Sequence, residues 1–171
     1  MGRRRERGAG LAVALIGAVA LAVTLPAGAE PVRSGPVLTV RSSQGALLAS
    51  VPLPADGRFA LRYRNSLYGT LAEERFAAGD GGRFRLVELA ADQLAVLEEY
   101  YEVTAPAERT AAGSGRAWSA PPARPVVLDE LRIAATDLGR RTLLAGDTSV
   151  PLWPLVDADP TVVLAVEGAG T

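Results

Sequence analysis

From Val37 onward the chain is written in short runs in which apolar and polar residues alternate, each closed by glycine, proline, aspartate or serine. A period of two puts the apolar side chains on one face of a strand and scatters them around a helix, so this repeat directs the chain to antiparallel β-structure with one buried face per sheet. The clearest instance is Arg58 to Arg64, where Phe59, Leu61 and Tyr63 share a face and the arginines lie on or near the other. Val37 to Arg41 and Ala46 to Val51 flank Ser42–Gly45 and read as a hairpin. Thr70 to Ala77 and Arg83 to Leu89 flank Gly79–Gly82 and read as a second, because glycine accepts the positive φ of tight turns. That Gly-rich turn lacks the Lys and Ser or Thr of a phosphate-binding loop.

Asp92 to Val103 departs from the alternation. Leu94, Leu97 and Tyr101 fall at spacings of three and four, which predicts a short helix with Asp92 as its N-cap. From about 104 to 125 the chain is rich in Ala, Pro, Gly and Ser and reads as a flexible loop or a cover. Strands are expected again over Pro125–Thr136, Arg141–Leu144, Val150–Trp153 and Val162–Val166, with Gly146 and Asp147 as a turn and Trp153 in the core. The expected fold is all-β with one short helix, eight or nine mostly antiparallel strands in a sandwich or a partly closed barrel.

The N-terminus reads as a targeting segment, Met1 to Ala29. Arg3, Arg4, Arg5 and Arg7 precede an apolar run from Ala9 to Leu25, Pro26 breaks the helix, and Ala27, Gly28 and Ala29 offer the small residues a signal peptidase accepts. Cleavage leaves Glu30 first, as a single domain over residues 30–171; an uncleaved segment is a membrane anchor. Either way the address is extracytoplasmic, in the periplasm or on the outer face of the cell membrane. Removing the segment takes four of the 18 basic and one of the 19 acidic residues, leaving 14 against 18. A formal charge of −4 with no basic stripe argues against nucleic acid as a partner. The chain has no cysteine and no histidine, so neither a disulfide framework nor a cysteine-linked lipid is available, and the core must hold the fold alone.

The stretch Phe59, Leu61, Tyr63, Asn65, Ser66, Leu67, Tyr68, Gly69, Thr70, Glu73 and Glu74 resembles bacterial domain-of-unknown-function family 1850, whose members are small exported proteins. The resemblance extends over most of the mature chain, but only this stretch is distinctive. It implies an accessory role beside a tripartite TRAP-type transporter, with the membrane transporter or its solute-binding protein as partner. In the family the position before the serine is usually histidine; here it is Asn65, which neither titrates nor coordinates zinc well. If that histidine serves only to cap a turn, Asn65 replaces it without loss.

Chemistry is limited by what is missing. Without histidine, cysteine or lysine, Ser66 has only carboxylates to activate it, and hydrogen bonding at a strand end is the simpler expectation. The carboxylate pairs Glu73/Glu74, Glu98/Glu99 and Asp129/Glu130 are adjacent in sequence, so on a strand their members face opposite sides. A carboxylate-based hydrolase would need two acids from different elements. Asp80, Asp147, Asp157 and Asp159 show no calcium-loop spacing; no metal and no cofactor is expected. The candidate ligand-binding residues are Asn65, Ser66, Tyr68, Glu73 and Trp118. Three functions follow in order: a noncatalytic accessory protein, a module binding a small organic ligand, and a hydrolase, with no enzyme expected.

Overall fold

The computed structural model describes residues 35–111 and 115–168, all within one compact unit, Arg33–Thr171. The segment Met1 to Ala29 lies outside the described residues. Among the described residues, twelve strands form two antiparallel sheets: β1 (Val37–Ser42), β2 (Leu47–Pro52), β3 (Arg58–Arg64), β4 (Leu71–Ala78), β5 (Phe84–Ala91), β6 (Glu108–Arg109), β7 (Trp118–Ala120), β8 (Val126–Leu128), β9 (Glu130–Ala134), β10 (Thr142–Ala145), β11 (Thr148–Pro151) and β12 (Thr161–Glu167). The smaller sheet runs β2-β1-β12-β9 and the larger runs β11-β10-β3-β4-β5-β7-β6, with β8 also on β5. The architecture is a sandwich and not a closed barrel.

The alternation of β3 explains the division of the core. Phe59 and Leu61 meet Leu38 and Val40 of β1 and Val162, Leu164 and Val166 of β12 in the layer between the sheets. The three phenylalanines gather there: Phe59 stacks on Phe76 at 5.1 Å between ring centres, and Phe84 meets both edge-on at 5.4 and 5.6 Å. Burying each such ring is worth about 1.5–3 kcal/mol. Tyr63, further along the same face, belongs to a second cluster with Ala72, Leu89, Ala91 and Ala120, and its cover is Val96, Leu97 and Val103 rather than the smaller sheet.

That cover is the expected helix, in altered form. Val96–Tyr100 is a single π turn, and Asp92 does not cap it; the Asp92 carboxylate instead accepts from Arg116 at 3.0 Å. The stretch read as a loop over 104–125 contributes β6 and β7, with β7 pairing Trp118 to Ala91 and Ala120 to Leu89. The single strand expected over Pro125–Thr136 is two. The chain changes sheets at Asp129, β8 joining β5 and β9 joining β12, so the outer edge of β5 is shared by β7 and β8. Trp153 sits half-buried in a one-turn 3-10 helix, and Leu152 takes the core place expected of it. Gly82, at φ +77°, lies so close to β12 that a Cβ there would stand 2.8 Å from the Val166 carbonyl oxygen, which requires glycine at this turn.

Candidate functional site

Two loops and the π turn meet at one end of β3. The first loop, Asn65–Thr70, is a closed turn: the Asn65 N–H donates to the Thr70 carbonyl and the Gly69 N–H to the Asn65 carbonyl, each at 2.8 Å. The Asn65 side chain, only 2 % exposed, turns back on this loop, its Oδ1 accepting from Leu67 N–H at 3.0 Å and Tyr68 N–H at 3.1 Å. Asn65 therefore caps the turn. The second loop, 135–141, leads from β9 to β10 across the end of β3, and the Arg64 N–H donates to the Gly139 carbonyl at 2.7 Å. It holds Arg140 at φ +46°, a left-handed conformation that costs a non-glycine residue about 1 kcal/mol. Arg140 pairs loosely with Asp137 at 3.5 Å, and the next side chain, Arg141, lies over the Tyr63 ring at 4.9 Å.

Between these loops opens a cleft of about 170 Å³, lined by Tyr63, Arg64, Asn65, Ser66, Tyr100, Ala134, Thr136, Leu138, Gly139 and Arg141. Of the candidates expected from sequence, the cleft contains Asn65 and Ser66. Ser66 is exposed. Tyr68 lies beyond it, its hydroxyl donating to the Glu99 carboxylate, a bond that raises the Tyr68 pKa. Trp118 is in β7, packed on the second cluster with the Arg109 guanidinium 4.7 Å above its ring. Sequence reasoning misses Arg64, Tyr100, Thr136 and Arg141; they come from three separate parts of the chain, the end of β3, the π turn and the 135–141 loop, and no local pattern joins them. Two other clefts, of about 220 Å³ beside Gly79–Arg85 and about 420 Å³ beside Glu88 and Pro121, contain none of the candidates. In the larger one Arg58 and Glu88 are already paired with Asp56 and Arg75.

Glu73 lies on the opposite face of the same sheet. Although it is a charged residue at 4 % exposure, it is fully engaged: Arg62 Nε donates to Oε1 at 3.0 Å, Arg75 reaches Oε2 at 2.9 Å, and Arg116 stands at 3.4 Å. Arg75 continues to Glu88 at 2.8 Å and Arg116 to Asp92 at 3.0 Å. Burial alone would raise the Glu73 pKa, but the hydrogen bonds from Arg75 and Arg62 hold its carboxyl below the usual range. The cluster ties β3, β4 and β5 to the segment leading into β7.

Glu74 faces inward, as adjacency on a strand requires, and accepts from the Tyr101 hydroxyl at 2.7 Å. Tyr101 and Tyr63 hydroxyls are 2.5 Å apart. Since the single Tyr101 proton goes to Glu74, Tyr63 donates to Tyr101. Burial pushes the Tyr63 phenol up to about 12 and, with the Glu74 charge, drives Tyr101 above its ordinary range. Neither phenol ionises near neutral pH. The two adjacent glutamates thus occupy opposite faces and separate networks, and do not form a catalytic pair with each other. Among the described residues, no group of three or more acidic, histidine or cysteine side chains gathers at metal-binding separations. What the cleft offers is two guanidinium groups, aromatic walls and hydroxyls.

No match to this chain was found among models of known protein families, curated proteins or solved structures.

Proposed function

We propose that this chain is an exported, noncatalytic binding module whose recognition end is the cleft between the 65–70 loop, the π turn and the 135–141 loop. The observation that carries this reading is convergence: side chains from β3, β9, both loops and the π turn line one small concavity. A concave site with a few placed polar groups on a rigid scaffold is what ligand recognition needs. Glu73 sits in a saturated ion cluster, which supports a structural role for it. Export rests on the basic and apolar N-terminal segment.

Titrating the full-length chain with small organic ligands while following its amide NMR signals tests the reading. Saturable shifts centred on residues 63–66, 100 and 134–141 are the expected result. Shifts confined to another part of the sheets, or none across a broad ligand set, would overturn it.

A second reading has its own observation. Leu67 and Leu138 are 74 % and 71 % exposed, one next to Ser66 and the other on the cleft wall. Large apolar side chains left in water at a loop end fit a protein partner, and the family resemblance supplies the class: a component of a tripartite transporter. Co-purification with such a component, lost on Leu67→Asp or Leu138→Asp, is the result this reading expects; capture unaffected by both changes would exclude this surface.

A further inference from the structure

Resting on the reading of this cleft as a binding site, we infer that its ligand is a small organic carboxylate, its anionic end held by Arg141 and Arg64 and its short apolar body lying on Tyr100, Ala134 and Leu138. Among the described arginines, Arg41, Arg58, Arg62, Arg75, Arg116, Arg132 and Arg140 stand within salt-bridge distance of a carboxylate; Arg83, Arg85, Arg109 and Arg124 do not, but Arg83 and Arg85 share their cleft with Asp80 and Arg109 lies over Trp118. Arg141, though half-buried, has no carboxylate partner among the described residues; the Tyr63 ring at 4.9 Å is what holds it. Arg64 likewise has no acidic partner there, and its Nη1 reaches only the Gly69 carbonyl at 3.4 Å. Two unneutralised cations on one concave wall, in a chain of net charge −1, create a local positive field that attracts an anion.

The shape of the site narrows the anion. A guanidinium is planar and meets a planar carboxylate through two parallel hydrogen bonds, and the Tyr63 ring 4.9 Å away limits where the Arg141 guanidinium can sit. At about 170 Å³ the cleft admits only a few heavy atoms. Tyr100, Ala134 and Leu138 supply an apolar wall that a compact inorganic dianion would leave unused, whereas an acid with a short hydrocarbon body would cover it.

The test is calorimetric titration of the full-length chain, in mild detergent, with butyrate, hexanoate and benzoate, with the corresponding amides, and with inorganic phosphate. Expected are saturable binding of at least one acid, binding at least tenfold weaker for its amide, and at least tenfold loss on Arg141→Gln and on Arg64→Gln. Arg141→Lys, which keeps the charge and loses the planar fork, is expected to recover only part of the affinity. Amides binding as tightly as acids would overturn the inference and leave the cleft a ligand site. Phosphate binding more tightly than every acid would overturn it too, by assigning the cations to another anion. Failure of every compound to bind, with all variants folded by circular dichroism, would overturn both the inference and the reading beneath it.

Discussion

The two faces of the larger sheet treat charge in opposite ways. On the outer face Glu73 is buried and surrounded by Arg62, Arg75 and Arg116, and the arginines are further matched by Glu88 and Asp92. At the loop end Arg141 is held against an aromatic ring, and among the described residues no carboxylate pairs with it. A saturated cluster has no capacity left for a ligand and contributes by fixing strands to one another; an unsaturated cation contributes little to the fold and is available to bind. Burial and charge alone do not separate these roles. The partners do.

The largest effect is expected at Glu73. Glu73→Ala leaves three arginines without their common acceptor and should cost about 3 kcal/mol, read as a shifted midpoint in urea unfolding. Tyr101→Phe breaks the bonds to Glu74 and Tyr63 and should cost about 1–2 kcal/mol by the same measurement. Arg140→Gly relieves the left-handed backbone and gives up only the exposed pair with Asp137, so a gain of about 0.5–1 kcal/mol is expected. Arg141→Gln, which removes a cation–ring contact, should cost only about 0.5 kcal/mol while emptying the cleft of its ligand.

Two pH limbs sharpen the contrast. Because the folded Glu73 pKa is depressed, its contribution is present above the ordinary glutamate value of about 4.3 and is lost as pH falls through the lower folded value. Glu73→Gln should flatten that acid limb. Tyr63 is shifted the other way: its contribution is complete below the ordinary tyrosine value of about 10 and is lost as pH rises toward 12. A tyrosinate absorbance titration should therefore show Tyr63 ionising near pH 12, and a phenol titrating near 10 at this position would contradict the buried hydrogen bond to Tyr101.

The same distinction between local and long-range partners explains what could be read from sequence. Phe59, Leu61 and Tyr63 alternate within one strand, and β3 emerges with the expected bounds, Arg58–Arg64. Val126–Ala134 carries no glycine or proline to end a strand, yet the strand divides at Asp129, because the sequence pattern does not record which sheet a strand joins. The strands β6 and β7 are two and three residues long, and their pairing depends on β5, so a composition of Ala, Pro, Gly and Ser read as a loop. The π turn showed its apolar spacing but not its extra residue. At the candidate site, Asn65 and Ser66 stood out through local turn chemistry. Arg64, Tyr100 and Arg141 become neighbours only when β10 pairs with β3 and residues 92–103 fold over the sheet.

The most direct test of the difference between the two faces is urea unfolding of the full-length chain beside its Glu73→Gln and Arg141→Gln variants. A loss of about 2 kcal/mol or more is expected for Glu73→Gln and less than about 1 kcal/mol for Arg141→Gln. Equal losses, or a larger loss at Arg141, would contradict that difference, because Arg141 would then be holding the fold together and not waiting for an anion.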